Sequence, residues 1–354
     1  MIDRRRVLLG GAATLMLPSL RANAGIASSK IESLLKKHKV PAVAIAVVEH
    51  GEIAWTETWG MASTALKKVA TPHHRFQAAS LSKTFNAMLV LKMFDDGDLD
   101  IDEPVNNYLT SWQLEGPNAH EVTAVHLLSH TGATTVSGFP GYEPTEQRPT
   151  TTIEVLDGLG NTEAVVNTGR PGRKYAYSGG GVTVLQALVE DISGQSYSDL
   201  ARARLLDPLG LQRAVFRDDT GTFDNYCCSH DSQGRKVDVW SHEYPELAAA
   251  GLWTTAADYA TALIELGYSF NNDGGYLSRQ TMQRMVEPVI KDAALGTFGS
   301  GDGGISHSGS NYGFRSLYQY NLEGGNGWVL LTNGDNGQKL IDALVPLIKE
   351  DRGW

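Results

Sequence analysis

The chain has 354 residues, of which 42% are hydrophobic and 20% are charged. This length and balance predict one large folded domain or two smaller ones, and they exclude a disordered chain. The formal net charge is −10, and residues 1–24 carry +3, which leaves −13 for the remainder. A body this acidic is repelled by phosphate backbones and anionic lipid, so nucleic acid is not an expected partner.

The first 24 residues, MIDRRRVLLGGAATLMLPSLRANA, are typical of an export signal. They have a basic start, an apolar stretch from Val7 to Leu17, and small residues at Ala22 and Ala24. Residues 4–8 resemble a twin-arginine signal, with an ordinary signal peptide or an uncleaved anchor as alternatives. Each predicts a periplasmic or secreted body that touches membrane only through this segment. We therefore exclude residues 1–24 from the fold.

The elements that follow differ between the ends and the middle of the chain. SSKIESLLKKHKVP predicts an amphipathic helix ending before Pro41, and AVAIAVVEHGEIAWTETWG predicts two strands joined at His50-Gly51. Residues 80–270 predict mostly helices and loops. RSLYQYNLEGGNGWVLLTNG then predicts a strand, a glycine-rich turn and a strand, and KLIDALVPLIKE predicts a closing helix.

This arrangement predicts an α+β fold in which both chain termini build one antiparallel sheet around an inserted helical region. We expect one domain, 25–354. Its sheet region would take about 25–75 and 285–354, and its mostly helical region about 76–284.

Ser80 and Lys83, in the stretch AASLSKTFNA, are the first candidates for chemistry. Positions i and i+3 share one face of a helix, and a lysine of lowered pKa can help to remove the proton of a serine hydroxyl. The pattern alone is weak, because about one or two copies are expected by chance in a chain of this length. A second copy does occur, Ser33 and Lys36 on the first predicted helix.

Two later motifs distinguish the first copy. Tyr-Ser-Gly occupies 177–179, just before a predicted helix, and His-Ser-Gly occupies 307–309, just before the C-terminal strand pair. In this order the motifs resemble those of the penicillin-recognising serine hydrolases, on the class C β-lactamase, D-Ala-D-Ala carboxypeptidase and esterase side. VHLLSHTGATTVSGFPGY, LLDPLGL and AAAGLWTTAADYA are also similar to that family, so the resemblance spans nearly all residues after the signal.

The resemblance implies a β-lactamase/transpeptidase-like fold and a role for each motif residue. Ser80 would be the nucleophile that forms an acyl-enzyme, and Lys83 would share the activating proton. Tyr177 would be the general base for acylation and the acid toward the leaving group. Because a phenol titrates near 10 in water, this role needs cationic neighbours, and Lys83 and His307 are the candidates. The backbone N–H groups of Ser80 and Ser310 would form the oxyanion hole.

The third motif would line the substrate site with His307 and Ser308, while Gly309 would let the substrate lie close to the strand. Two positions depart from the family. Gly179 stands where the second motif usually ends in Asn, whose amide holds the substrate's acyl-amide group. His307 stands in place of Lys, and a neutral imidazole binds a carboxylate less well. Arg315 is the candidate to compensate.

These residues predict an exported serine hydrolase that acts by two-step acyl transfer without a metal or organic cofactor. The departures favour an ester or amide of a small acyl compound as substrate. A D-Ala-D-Ala carboxypeptidase or β-lactamase acting on peptide-like substrates is one alternative, and a catalytically silent binding or sensor module is another. The oligomeric state is left open.

Three other patterns are weaker. Residues 176–180 approach a G-x-S-x-G nucleophile elbow, but the preceding TGRPGRKYA is polar rather than a buried strand. His126 and His130 have a zinc spacing without the accompanying Glu, so packing or hydrogen-bonding histidines are expected. Cys227 and Cys228 are adjacent, too close for an ordinary disulfide, and are expected as buried or free thiols.

Overall fold

Both ends of the chain contribute strands to a seven-stranded antiparallel sheet. The computed structural model describes residues 26–217, 225–235, 241–301 and 303–354. The strands are β1 (Ala42–Glu49), β2 (Glu52–Ser63), β3 (Lys68–Val69), β4 (Phe76–Gln77), β5 (Val215–Phe216), β6 (Leu252–Thr254), β7 (Phe298–Gly299), β8 (Gly304–Asn311), β9 (Phe314–Asn321) and β10 (Asn326–Thr332). The large sheet has the order β3-β2-β1-β10-β9-β8-β7, and a small sheet has the order β4-β6-β5. The predicted α+β class, with a sheet built from both ends, is confirmed.

The helices lie mainly between the two groups of strands. They are α1 (Ser28–His38), α2 (Ser82–Asp95), α3 (Ala124–Leu128), α4 (Thr152–Leu156), α5 (Gly179–Ser193), α6 (Tyr197–Ala201), α7 (Leu247–Ala250), α8 (Ala256–Asn271), α9 (Arg279–Val286) and α10 (Gly337–Arg352). Within the described part of the chain, no helix combines the length and apolar character that crossing a bilayer requires. The predicted export signal, residues 1–24, lies outside the described residues.

Strand β1 separates two hydrophobic cores. Its residues Val43, Ile45 and Val47 belong to the core formed with α1 and α10. The intervening alanines at 42, 44 and 46 belong to the core on the helical side of the sheet. Side chains alternate between the faces of a strand, so a strand buried on both faces is apolar at every position. This burial explains the unbroken run AVAIAVV.

Helix α2 is the central helix of the helical region. Residues 82–91 are all buried, and α5, α7 and α9 pack around them. A helix that is buried on every side cannot shift without disturbing the core. The 3₁₀ turn Ala79–Leu81 leads directly into α2, so Ser80 sits at a rigid position. Ala79 has a left-handed φ of 52°, a strained conformation that is typical of functional sites.

Cys227 and Cys228 are each 2% exposed. Burial, with the neighbouring Cys228 as a smaller contribution, raises the pKa of the Cys227 thiol well above its usual range. A thiol held protonated in this way is a poor nucleophile.

Candidate functional site

Ser80 and Lys83 form a hydrogen-bonded pair at the start of α2. Lys83 Nζ donates to Ser80 Oγ at 3.2 Å and to the carbonyl oxygen of Ala249 at 2.8 Å. Lys83 is only 3% exposed, whereas Ser80 is partly open to solvent. In the second copy of the pattern, Ser33 and Lys36 are both exposed on α1. The structure therefore distinguishes two sequence matches that share the same spacing.

Ser82, the other serine of this stretch, has a structural position. It is fully buried; its Oγ donates to the carbonyl oxygen of Ala79 at 2.6 Å and accepts the backbone N–H of Leu252 at 3.0 Å. These bonds hold the strained Ala79 in place beside Ser80. The side chain of Ser82 has no remaining role at the site.

Tyr177 joins the serine–lysine pair. Lys83 Nζ lies 5.1 Å from the centre of the Tyr177 ring, and the ring of His307 lies 6.3 Å from it. Tyr177 directly precedes Ser178, which caps the N-terminus of α5 by accepting the N–H of Gly181. The structure thus brings all three sequence motifs together, although they are separated by 94 and 130 residues along the chain.

His130 positions Tyr177, and sequence analysis did not assign it this role. The two rings contact each other, with centroids 4.2 Å apart and an angle of 35° between their planes. The His130 carbonyl accepts the N–H of Ala176, and its Nδ1 accepts the N–H of Ser178 at 3.2 Å. Burial, then the charge of Lys83, holds the pKa of His130 well below its usual range, so the ring is neutral. His130 lies in LLSHTG, within one of the segments that are similar to the family, and this position is the sequence feature that could have indicated a role at the site.

The zinc-like spacing of His126 and His130 does not produce a metal site. His126 Nδ1 lies 3.1 Å from Thr123 Oγ1 and caps α3, while the ring of His130 packs against that of Tyr177. Among the described residues, no group of three His, Cys, Asp or Glu side chains could hold a metal ion. Ser178 is an N-cap that follows a non-strand segment, so the nucleophile-elbow geometry is absent at that residue.

Strand β8 lies alongside the 3₁₀ turn that contains Ser80. Gly309 makes this approach possible, because a Cβ there would lie 2.5 Å from the carbonyl oxygen of Ala78 and 3.1 Å from Ala79 Cβ. Strand β7 pairs with β8 only at residues 305 and 306, so the outer edge of β8 beyond them faces the site. Ser308 and Ser310 are exposed on this stretch. An oxyanion hole built from the N–H groups of Ser80 and Ser310 requires this proximity.

His307 is neutral, which corrects its expected role as a cationic neighbour of Tyr177. The side chain is 4% exposed, and its Nδ1 lies 2.7 Å from the carbonyl oxygen of Ser308. Burial, followed by the charge of Lys83, lowers its pKa to about 3. Lys83 is therefore the cation that faces Tyr177.

Arg315 is not brought to the site. It pairs with Ser310 across the sheet, but its guanidinium contacts Asp335 at 3.3 Å and its stem packs against Gly337 at the start of α10. The adjacent Ser316 points the other way and donates to the carbonyl oxygen of Ala78. Alternation along β9 thus places Arg315 on the opposite face of the sheet. The missing Lys of the third motif is not replaced by this residue.

Aromatic rings border the site on two sides, and sequence analysis named none of them. On one side Phe298 lies 6.2 Å from Tyr175 and 5.1 Å from His307, measured between ring centroids. On the other side His242 and Tyr312 stack at 4.2 Å. Phe298 and Tyr175 thus place aromatic surface beside His307, and Tyr312 follows Ser310 by two residues.

The burial of His307 predicts a pH-dependent stability. Its pKa of about 3 lies below the 6.5 of the unfolded chain, so the unfolded state binds more protons between these pH values. This contribution is fully present above pH 6.5 and is lost as the pH falls, by about 2 kcal/mol at pH 5. We expect His307→Asn to flatten this decline in urea unfolding, whereas His120→Gln at an exposed histidine leaves it unchanged. An unaltered decline in His307→Asn would contradict the assignment.

Fold and site together define a mixed α and antiparallel β protein with a serine, a lysine and a tyrosine clustered beside the part of β8 that extends past its pairing with β7. The model of the family described as Beta-lactamase matches residues 27–350. The chain belongs to this family, which confirms the expected resemblance to the penicillin-recognising serine hydrolases.

Individual relatives are distant. Protein flp of Staphylococcus aureus (strain MW2) is 24% identical over 332 residues, covering 89% of this chain and 64% of that protein. Penicillin-binding protein 4* of Bacillus subtilis (strain 168) is 28% identical over 186 residues, covering 51% of this chain and 39% of that protein. The octameric penicillin-binding protein homologue from Pyrococcus abyssi has a TM-score of 0.74 at 23% identity, covering 91% and 78% of the two chains. This chain thus spans less than two thirds of both curated relatives.

Proposed function

We propose that the protein is an exported serine hydrolase that forms an acyl-enzyme on Ser80 and hydrolyses an ester or amide of a small acyl compound. The observation that supports it most directly is the hydrogen bond from buried Lys83 Nζ to Ser80 Oγ, beside the ring of Tyr177. A serine hydroxyl needs such neighbours because it is a weak nucleophile until its proton is removed. Membership of a family of serine hydrolases supports the same reaction class.

The proposed reaction has two steps. In acylation, Ser80 Oγ attacks the substrate carbonyl carbon, and its proton passes to the pair of Lys83 and Tyr177. The oxyanion that forms accepts hydrogen bonds from the N–H groups of Ser80 and Ser310. Tyr177 then returns the proton to the leaving group as the bond to it breaks. In deacylation, a water molecule loses a proton to the same pair and attacks the acyl carbon, and Ser80 Oγ regains a proton as the acid departs.

The surroundings of Lys83 support this role. Its exposure of 3% keeps water from screening its charge, and the neutral imidazoles of His130 and His307 add no second positive charge beside it. Electrostatic interactions are stronger in such low-dielectric surroundings than in water. No metal or organic cofactor enters the proposed reaction, and the proposed partner is the acyl substrate.

The proposed ranking of substrate classes depends on three residues. Gly179 has no side-chain amide, His307 is neutral, and Arg315 faces away from the site. A substrate carboxylate, as in β-lactams and D-Ala-D-Ala peptides, would thus meet none of the cations that sequence analysis considered for it. We therefore rank small esters first and cell-wall peptides or β-lactams second.

A substrate screen tests the proposal. We expect p-nitrophenyl esters of short acids to be hydrolysed faster than a chromogenic cephalosporin or a D-Ala-D-Ala peptide. Faster hydrolysis of the cephalosporin would reverse this ranking and place β-lactams before small esters. No turnover, together with no adduct on the Ser80 peptide after a fluorophosphonate or a labelled penicillin, would favour the binding or sensor module.

Export is proposed from residues 1–24. Cell fractionation of a host that makes the full chain should find the mature protein outside the cytoplasm. Replacing arginines 4–6 by lysine keeps the charge but removes the twin-arginine pattern, and should retain the protein in the cytoplasm. Unchanged export of that variant would indicate an ordinary signal peptide, and no export of the natural sequence would contradict the localisation.

A further inference from the structure

The three glycines at the start of α5 are required by space rather than by backbone conformation. None of Gly179, Gly180 and Gly181 has a left-handed φ. A Cβ at Gly180 would lie 2.7 Å from the carbonyl oxygen of Thr135, and one at Gly181 would lie 2.7 Å from Thr134 Oγ1. Real Cβ contacts are never this short, so residues 134–139 approach the helix as closely as its glycines permit.

Hydrogen bonds lock this loop to the helix. The N–H of Gly179 donates to the carbonyl oxygen of Ser137 at 3.1 Å, and the N–H of Gly180 donates to that of Val136 at 2.9 Å. Val136 has a φ of 60°, which is strained for a β-branched residue. A strained residue persists only where its surroundings determine it, so the loop has one defined position beside the second motif.

Position 179 differs from position 180, which is blocked by the backbone carbonyl oxygen of Thr135. A Cβ at position 179 would lie 2.9 Å from Cε2 of Phe139, a side-chain atom rather than backbone. The Phe139 ring is half-buried, between the exposed Gly138 and Pro140. It therefore occupies the space that a side chain at 179 would take, two residues after Tyr177.

The same loop reaches across to the third motif. The carbonyl oxygen of Pro140 accepts the hydroxyl of Tyr244 at 3.3 Å and lies 3.2 Å from His242 Nδ1. Tyr244 in turn accepts the N–H of Tyr312, which follows Ser310 by two residues and stacks on His242. The loop that contains Phe139 is thus attached both to the second motif and to the end of the third-motif strand.

We propose that Phe139 determines substrate specificity by filling the space beside Gly179 with an aromatic ring, so that the acyl chain next to it must be apolar and must carry no amide of its own. An aromatic ring cannot replace the hydrogen bonds that an amide loses when it leaves water, whereas an alkyl chain gains from the contact. The substrate class is then an ester or amide of a short alkanoic acid. This inference rests on the proposed function.

Two esters of similar length test it. The p-nitrophenyl esters of pentanoic acid and of N-acetylglycine differ mainly by an amide in the acyl chain. We expect the natural protein to prefer the pentanoate in kcat/KM by roughly tenfold to a hundredfold, as is typical when one buried polar group lacks a partner. Phe139→Ala should reduce this preference about tenfold. Phe270→Ala, which removes a half-buried ring of α8, should leave both the preference and the acetate ester turnover unchanged.

Substitutions at positions 179 and 180, made both in the natural protein and in Phe139→Ala, distinguish a role of Phe139 in specificity from a role in packing alone. Gly179→Asn should lower both Tm and turnover in the natural background, because its side chain meets the ring of Phe139. In the Phe139→Ala background it should be tolerated and should raise turnover of the N-acetylglycine ester. Gly180→Asn meets backbone at Thr135, so Phe139→Ala should not rescue it.

The outcomes are distinguishable. If Phe139→Ala changes all esters by the same factor, or if Gly179→Asn has the same effect in both backgrounds, the specificity role is wrong while the hydrolase function stands. If the natural protein hydrolyses none of the esters and Ser80 takes no fluorophosphonate adduct, the proposed function is wrong and this role with it.

Discussion

Ser80→Ala is expected to lower kcat/KM for the best p-nitrophenyl ester by about 10⁴-fold or more, because no acyl-enzyme can form without its hydroxyl. Ser80 itself is partly exposed. When its hydroxyl is removed, Lys83 keeps its bond to Ala249, so no buried polar group is left without a partner. The variant should therefore fold normally and have an almost unchanged Tm. Steady-state kinetics, intact-protein mass after fluorophosphonate treatment, and thermal unfolding together check this result.

Ser82→Ala is the matched control, two residues further along the chain. Its hydroxyl accepts the N–H of Leu252 in a fully buried place, so its removal should cost about 1–3 kcal/mol of stability. Turnover should fall by less than about tenfold, through the loosened Ala79. Ser33→Ala, in the exposed copy of the pattern, should change neither quantity. Loss of activity in Ser82→Ala with activity kept in Ser80→Ala would mean that the motif is misaligned.

Lys83→Met is expected to lower kcat by about 10²–10⁴-fold, the usual contribution of a positioned proton-transfer group. Methionine has a similar shape, and replacing a buried charge by an apolar side chain is often neutral for stability. The Lys83 charge lowers the pKa of both His130 and His307, so removing it should raise the pKa of each. Burial remains, and both values should stay below 6.5. Histidine titration by NMR measures this shift independently of activity.

Lys83→Arg separates charge from proton transfer. A guanidinium stays charged and should keep the histidine pKa values low, but it does not release a proton and so cannot relay one between Ser80 and Tyr177. We therefore expect activity to be lost in both variants and the histidine pKa values to rise only in Lys83→Met. Normal turnover in Lys83→Met would remove Lys83 from the proton path. Unmoved histidine pKa values would contradict the electrostatic contact that the structure places there.

Local patterns were sufficient for the elements and the architecture. The run AVAIAVV predicts a strand from its own composition, and the order of strands and helices predicts the α+β class. The order of the three motifs, together with the other similar segments, indicates the family. These features depend on residue type and spacing along the chain, which a sequence displays directly.

The environment and the charge state of the site residues depend on contacts between segments that are distant in the chain. Ser80 and Ser33 have identical local patterns, and only packing shows that Lys83 is buried while Lys36 is exposed. The neutral state of His307 follows from desolvation, which needs three-dimensional burial and not a residue type.

The face of Arg315 and the ring beside Gly179 were decided in the same way. Arg315 follows the third motif closely in the chain, yet alternation along β9 turns it toward Asp335. Gly179 reads in the sequence as a missing amide, and the fold shows Phe139, 40 residues away, in the space beside it. Linear motifs are thus enough to name the candidate catalytic residues, whereas their charge state and the proposed substrate preference depend on which distant side chains the fold packs against them.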